Sequence, residues 1–296
     1  MTDLFVSVVR SWLGPPQPLD DLPEFDGSEQ AETSRRELTA DFSAYRQADG
    51  EIWRSGAAAA RDTLAAATGS TVDALVYVSE NETDAITALP ALLDDLGLPQ
   101  AAAVAVRGHE CGNLGPALQT AADMIVAGRA DTVLVVLADH AGDRGRLMNN
   151  GLSVFSDGAA ALLLGRHRPA VAHLELLGID VARAPGSASM LEVARAAQAS
   201  VAGILRRCEL TPADIEAVAF ANYRWDAQRF LAAATRLPVE RVLRPDVTDV
   251  AHCFSADVPV KLAGALDGLP DGASVLGLVT GPWSWSTIAL RANHPR

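Results

Sequence analysis

The sequence is poor in cysteine: three occur among 296 residues, Cys111, Cys208 and Cys253. They lie far apart, and no two share the Cys-x-x-Cys spacing. A disulfide framework and a structural zinc site both need clustered ligands, so the sequence argues against both. We therefore expect free thiols in a reducing compartment and no bound metal.

Basic residues and long apolar runs are also scarce. Lysine and arginine number 24 against 37 aspartates and glutamates, which gives a net charge of −13. Nucleic-acid binding needs clustered basic residues that neutralise phosphates, so it is not expected. No stretch approaches the roughly 20 apolar residues of a membrane span, and residues 1–25 lack the pattern of a secretory signal. We expect a cytoplasmic protein that binds neither nucleic acid nor membrane.

The chain does contain an internal repeat of element order: helix, short apolar strand, helix, key polar residue and long apolar strand. In the first half, the predicted helices and strands cover residues 57–67, 74–78, 85–96 and 132–138. In the second half, they cover residues 193–207, 215–220, 225–236 and 273–279. The repeat predicts two related α/β halves, residues 1–165 and 166–296.

The strands are expected to be buried on both faces. Continuous Val/Leu runs such as residues 132–138, bounded by helices, are typical of a parallel or mixed sheet covered by helices. Residues 1–50, rich in proline, aspartate and glutamate, are predicted to be irregular.

Cys111 is the main candidate for chemistry. It stands before a helical pattern that begins with small residues, and a helix N-terminus favours a thiolate over a thiol. His252 occupies what reads as the matching place in the second half, and Asp257 follows five positions later. Five positions do not align on a regular helix, so contact between His252 and Asp257 requires a local irregularity. Together the three residues would make an acyl-transfer site.

From about residue 57 onward, the chain resembles the thiolase superfamily and, within it, ketoacyl-ACP synthase III. The resemblance rests on the order and spacing of motifs: the Cys111 helix and its following strand, Phe155–Ala161 (FSDGAAA), Leu237–Val242 and Gly281–Ser286 (GPWSWS). It implies a thiolase-like α/β fold of two pseudo-duplicated halves in a layered α-β-α-β-α arrangement. It also implies a homodimer without a permanently bound cofactor.

Two departures from that family bear on function. The family carries a histidine where this chain has Ala221, or Asn222 on a one-residue shift, and an asparagine where this chain has His252. In the family, both residues donate hydrogen bonds to a thioester carbonyl during decarboxylation. Loss of one donor argues against decarboxylative condensation. Cys111, His252 and Asp257 instead resemble an offshoot that moves acyl groups onto hydroxyls or amines.

The resemblance also suggests supporting roles around Cys111. The oxyanion hole is expected to combine the Cys111 backbone N–H with that of Gly281, since Pro282 has no N–H. Asn222 is expected either to hold the acceptor or a water, or to cap the helix at Trp225. We interpret His109, Cys208 and Cys253 as structural.

The sequence therefore predicts an acyltransferase of specialised metabolism, such as polyketide or antibiotic biosynthesis. The donor would be an acyl-CoA or acyl-carrier-protein thioester, the intermediate an acyl-Cys111 enzyme, and the acceptor a small molecule. Two alternatives stay open: a condensing enzyme that loads starter units with His252 as single donor, and a non-catalytic partner subunit of a ketosynthase.

Overall fold

The computed structural model describes residues 3–67, 69–148, 151–183, 190–244 and 249–295. The strands are β1 (Phe5–Leu13), β2 (Pro16–Pro18), β3 (Ala44–Arg46), β4 (Ala74–Val78), β5 (Ala102–Val106), β6 (Thr132–Asp139), β7 (Gly158–Gly165), β8 (His173–Arg183), β9 (Ile215–Phe220), β10 (Ser274–Thr280) and β11 (Ser284–Asn293). The α-helices are α1 (Glu29–Leu38), α2 (Ile52–Ala66), α3 (Ala85–Asp95), α4 (Leu114–Val126), α5 (Met190–Arg207), α6 (Trp225–Thr235) and α7 (Asp257–Ala265).

Nine strands form one mixed sheet in the order β5-β4-β6-β7-β1-β8-β11-β10-β9. The two halves of this order mirror each other: β4 and β6 are parallel with an antiparallel β7 beside them, and β9 and β10 are parallel with an antiparallel β11. The halves meet at a narrow seam, where β1 and β8 pair through two residue pairs. The predicted pseudo-duplicated fold is therefore confirmed, whereas the domain boundary after residue 165 stays a prediction.

The helices lie in three layers around the two half-sheets. Helices α2 and α3 cover one outer face, and α5 and α6 cover the other. Helices α4 and α7 contact strands of both halves, and their apolar side chains belong to one large buried cluster with residues of β4, β6, β10 and β11. This central layer explains why the strands are apolar on both faces, because each half-sheet packs on helices from two sides. Among the described residues, no helix is long and apolar enough to cross a membrane.

The prediction that residues 1–50 are irregular was wrong. Strand β1 lies inside the main sheet between β7 and β8, and its Val6 and Val9 are almost fully buried. The short strands β2 and β3 pair with each other, and α1 packs with them around a small apolar cluster that reaches Val154 and Ala251. The segment is ordered because it completes the seam and supports the loops beside His252.

Candidate active site

Cys111 lies in a tight turn that joins β5 to α4. Residues Glu110–Gly112 form one 3₁₀ turn, and Glu110 takes a left-handed backbone conformation with φ of 49°. The small residues that follow are required by packing, since a Cβ on Gly115 would lie 1.9 Å from Ser286 Oγ of β11. The turn therefore holds Cys111, which is 4% exposed, just before the first turn of α4.

A single carboxylate organises this turn. Glu80, which follows β4, accepts hydrogen bonds on one oxygen from the backbone N–H of Gly108 (2.7 Å) and Glu110 (3.1 Å) and from the Asn113 amide (3.0 Å). Three more N–H groups of the turn donate within it: His109 to Asn113 Oδ1, Gly112 to His109 O and Asn113 to Glu110 O. The Cys111 N–H donates to no acceptor among the described residues, so it is available to a substrate.

His252 reaches Cys111 from the other half of the molecule. Its backbone is held beside Phe155 by an isolated parallel bridge, with its N–H donating to Val154 O (2.9 Å) and its carbonyl accepting from the Ser156 N–H (2.8 Å). The imidazole is fully buried, with Nε2 2.9 Å from Cys111 Sγ. On its other side Nδ1 contacts Asp257, a carboxylate that only accepts, so the ring presents Nε2 to the thiol.

Asp257 is brought to His252 by the irregularity that the spacing required. Residues Phe254–Ala256 form a 3₁₀ turn, with Phe254 in the left-handed region at φ of 52°. Besides the imidazole, the Asp257 carboxylate accepts the N–H of Cys253 and of Asn222, both at 2.6 Å. Three donors on one buried carboxylate fix its orientation.

The electrostatics of the site favour a protonated imidazole. The rings of Phe155, Tyr223 and Phe254 lie around His252 with centroid distances of 5.5, 5.2 and 5.9 Å. Such burial by itself lowers the pKa of a histidine, but the charges of Asp257 and Cys111 outweigh it and raise the pKa of His252 to about 10. A protonated His252 is therefore placed to donate through Nε2 to the Cys111 sulfur.

The FSDGAAA motif supports the segment that carries His252. The buried Asp157 carboxylate forms a two-pronged ion pair with Arg146, at 2.9 and 2.8 Å, and accepts the backbone N–H of Ala48 and Ala141. A Cβ on Gly158 would lie 3.0 Å from Cys253 Sγ, so glycine allows the His252 segment to pack on β7. The motif is thus structural, and Cys253 packs on β7.

A cavity of about 440 Å³ opens beside Cys111. Its walls are largely apolar and come from the segment after β6 and from α6, with Met148, Leu152, Phe230 and Leu231 among the lining residues. Its polar lining residues are Glu110, Arg144, Tyr223 and Thr280. The Arg144 guanidinium lies over the Phe155 ring at 4.7 Å and 3.5 Å from the Glu110 carboxylate, so polar groups gather at the nucleophile end.

The prediction that the Gly281 N–H completes the oxyanion hole was wrong, because that N–H donates to Ser284 O at 2.8 Å. Gly281 is required for another reason: a Cβ there would lie 2.2 Å from the carbonyl oxygen of His109. The close approach lets the loop after β10 pack on the turn that carries Cys111.

Neither predicted role of Asn222 agrees with the structure. Its side-chain amide donates to the carbonyls of Val250 and Ala251, and its backbone N–H donates to Asp257. Helix α6 is capped instead by Asp41, which accepts the Trp225 N–H at 2.8 Å. Asn222 therefore ties the end of β9 to the His252 segment, and it does not line the cavity.

His252 is also not the counterpart of Cys111 in the second half. Glu110 and Phe254 share the left-handed conformation, and the turns around them place Ser255 where the first half has Cys111, and Asp257 where it has Asn113. The sequence comparison matched the two residues by the order of the surrounding elements, which does not show where the left-handed residue of each turn lies. His109 keeps its predicted structural role, with Nδ1 3.0 Å from Ser284 Oγ and its ring on Trp283.

No motif in the sequence pointed to Tyr223. The family's histidine was aligned to Ala221 or Asn222. However, the chain makes a tight turn after β9, in which the Tyr223 N–H donates to Ala221 O. This turn directs residue 223 to the cavity. The Tyr223 hydroxyl lies 2.6 Å from Thr280 Oγ1. Among the described residues, no three His, Cys, Asp or Glu side chains are arranged to hold a metal ion.

Comparisons with known proteins concern the family motifs and the fold. The family model of 3-oxoacyl-[acyl-carrier-protein] synthase III matches residues 108–180, which include Cys111 and the FSDGAAA motif. No curated protein matches the sequence.

Solved structures match over the whole chain. ChlB3, named as an acyltransferase, is 20% identical with a TM-score of 0.85 and covers 99% of this chain and 98% of its own. The 3-oxoacyl-ACP synthase III FabH from Pseudomonas aeruginosa PAO1 is 23% identical with a TM-score of 0.81, at 99% of both chains. Cerulenin-bound OleA from Xanthomonas campestris is 17% identical with a TM-score of 0.79, at 98% of both.

The chain thus has a thiolase-like fold similar to that of 3-oxoacyl-ACP synthase III, whose family model it matches over residues 108–180. The matched family is described as a synthase, and ChlB3 is named as an acyltransferase. The similarity to the solved structures, below 25% identity, concerns the fold, and the choice between the two reactions depends on the site itself.

Proposed function

We propose that the protein is an acyltransferase that carries an acyl group on Cys111 and delivers it to a hydroxyl or amine without decarboxylative condensation. The observation that carries the proposal is the buried chain of contacts from Cys111 Sγ through both nitrogens of His252 to the Asp257 carboxylate. A nucleophile, a base and a group that orients the base are the parts that acyl transfer needs.

In the first half-reaction, the Cys111 thiolate attacks the thioester carbonyl of the donor. The C–S bond to Cys111 forms, the oxyanion accepts the Cys111 N–H, and collapse breaks the bond to the departing thiol, which takes the proton from His252 Nε2. Acylation removes the negative charge from Cys111, one of the charges that raise the pKa of His252. The imidazole is then neutral and able to accept a proton.

In the second half-reaction, neutral His252 takes the proton of the acceptor hydroxyl or amine through Nε2. The acceptor oxygen or nitrogen bonds to the acyl carbon, and Cys111 leaves as the thiolate. Asp257 stabilises the imidazolium that forms. In a condensing enzyme, His252 would have to keep its proton on Nε2 in order to donate a hydrogen bond to the enolate oxygen. Asp257 instead orients His252 toward the Cys111 thiol, and a base held in this way is better suited to accept and return a proton.

The cavity supports a small, mostly apolar acyl group or acceptor with one polar end near Arg144. Acyl-CoA and acyl-carrier protein are both suitable donors.

A homodimer is part of the proposal. Strand β5 forms one edge of the main sheet, and its residues Ala102–Ala105 are exposed although they are alanine and valine. An exposed apolar edge strand is a surface that proteins usually cover. A second copy pairing along β5 would cover it beside the turn that carries Cys111.

Intact-protein mass spectrometry after incubation with a panel of acyl-CoA and acyl-carrier thioesters tests this function. We expect a donor-selective mass gain in the wild type that Cys111→Ala abolishes and His252→Ala strongly slows. Cys208→Ala is the matched control, since that half-buried thiol lies outside the cavity, and it should retain the adduct. A malonyl adduct that keeps its carboxylate favours transfer, whereas absence of any adduct would point to a non-catalytic partner subunit.

A further inference from the structure

The site has one backbone donor for an oxyanion where acyl-transfer sites commonly use two. The other N–H groups of the turn from Gly108 to Asn113 are engaged, and the Gly281 N–H donates to Ser284 O. If the proposed acyl transfer takes place here, the developing charge requires a second donor from a side chain that lines the cavity.

Two hydroxyls in the cavity wall supply such a donor. Tyr223 and Thr280 line the cavity together with Cys111, and their oxygens lie 2.6 Å apart. This hydrogen bond uses one of their two protons. Among the described residues neither hydroxyl forms another hydrogen bond, so one proton of the pair is left for a group in the cavity.

We propose that the Tyr223 hydroxyl is the second oxyanion donor, with Thr280 donating to the Tyr223 oxygen. The ring of Tyr223 is 6% exposed and lies 5.2 Å from the His252 ring, centroid to centroid, so it is fixed beside the base and the nucleophile. The Gln228 amide donates to the Tyr223 carbonyl and holds its backbone.

The chemistry of the two hydroxyls favours a hydrogen bond in which Thr280 donates and the Tyr223 oxygen accepts. A phenol is a stronger hydrogen-bond donor than an aliphatic alcohol, and a donation from Thr280 polarises it further. Burial, followed by the nearby charge of Cys111, raises the pKa of Tyr223, so the phenol keeps its proton in the presence of the thiolate.

The role is confined to one kind of step. When Cys111 Sγ bonds to a carbonyl carbon, the C=O electrons move to oxygen, which accepts hydrogen bonds from the Cys111 N–H and the Tyr223 O–H. The leaving group departs as the C=O re-forms, and its proton comes from His252. Tyr223 keeps its proton throughout, so it is required for acyl chemistry but not for alkylation of the thiol.

Two reactions of Cys111 test this inference: the burst of p-nitrophenol from p-nitrophenyl acetate, and alkylation by iodoacetamide. Tyr223→Phe removes one oxygen and should slow the acylation burst about 100-fold, the usual effect of losing an oxyanion donor. Alkylation passes through no oxyanion and should change less than about twofold. Thr280→Val should slow acylation by roughly 3- to 10-fold with alkylation again unchanged, since it removes only the polarising donor.

Equal losses in both reactions would overturn the inference, because Tyr223 would then act on the thiolate or on the fold. An unchanged acylation rate in Tyr223→Phe would overturn it as well. If Tyr223→Phe does not fold, the selectivity of Thr280→Val decides. This inference rests on the proposed function, yet the failures differ: a wild type that iodoacetamide alkylates but no ester acylates contradicts the proposed function itself.

Discussion

Two turns in this molecule have the same backbone and different chemistry. The nucleophile turn, residues 109–113, and the base turn, residues 253–257, each contain a 3₁₀ turn whose first residue, Glu110 or Phe254, is in the left-handed region. In each, the side chain of the last residue accepts the N–H of the first, at 3.1 and 2.6 Å. The same frame is therefore built once in each half of the fold.

The side chains on that frame decide its role. The last residue of the nucleophile turn is Asn113, a neutral amide that donates to Glu80 and to the Glu110 carbonyl. At the same place the base turn has Asp257, whose charge holds His252. Where the nucleophile turn carries Cys111, the base turn carries Ser255, which donates to Glu110 O at 3.0 Å and links the two turns. One duplicated turn thus supplies a nucleophile in one copy and a charged anchor for a base in the other.

Making the nucleophile turn resemble the base turn should have the largest effect. Cys111→Ser places a hydroxyl where Ser255 stands in the second copy, and we expect acylation by thioesters to fall at least about 1,000-fold, because a serine hydroxyl is not ionised beside His252. Rapid-quench mass spectrometry measures the rate. The matched control Ser255→Ala should stay within about tenfold of the wild type, since its hydroxyl only links the turns. Similar losses in both variants would contradict distinct roles for the two turns.

Making the base turn resemble the nucleophile turn should have the second-largest effect. Asp257→Asn gives both turns an asparagine at the last position, and we expect acylation to fall about 10²- to 10⁴-fold, because the imidazolium loses its orienting charge. The pKa of His252, raised to about 10 in the wild type mainly by Asp257 against the effect of burial, should fall in the variant. An NMR titration of the His252 imidazole measures it. The imidazolium would then be lost at a lower pH than in the wild type, and an unchanged titration would show that Asp257 does not hold the proton.

Removing the charge of Glu80, which lies outside the nucleophile turn and accepts hydrogen bonds from it, should have the smallest of these effects. Glu80→Gln keeps the size of the side chain but weakens three hydrogen bonds to one oxygen, so we expect a loss of about 1–3 kcal/mol in the free energy of unfolding. Acylation should slow about tenfold as the Cys111 N–H loses its fixed direction. Urea unfolding and the p-nitrophenyl acetate burst measure these effects. Glu82→Gln, a neighbouring carboxylate without contact to the turn, is the control, and equal effects in the two variants would contradict the role of Glu80.

The residues with motif context could be predicted from the sequence, and those defined by hydrogen-bond geometry could not. Cys111, His252 and Asp257 were selected by position within recognisable segments, and the structure brings them into contact. Gly281 was assigned to the oxyanion hole because Pro282 has no N–H, and one of two roles considered for Asn222 was to hold the acceptor or a water. Tertiary contacts engage the donors of both residues. No sequence pattern reports which donors a fold leaves unpaired.

Local backbone geometry accounts for the other errors. The left-handed conformation of Phe254, which brings Asp257 to His252, is uncommon for a bulky residue and has no sequence signature. The turn after β9 shifts the cavity-lining position from Ala221 or Asn222 to Tyr223. Strand β1 was missed because its short apolar run stands among prolines and acidic residues, although pairing with β7 and β8 fixes it in the sheet.

The most direct test of the central claim is a single-turnover competition for the acyl group on Cys111. Isolated acyl-enzyme would be mixed at once with malonyl-CoA and a small primary amine, and the products separated by mass spectrometry. The account predicts an amide that forms faster than in Asp257→Asn, with the malonyl group left intact. A 3-oxoacyl product with release of carbon dioxide would contradict it and identify a condensing enzyme.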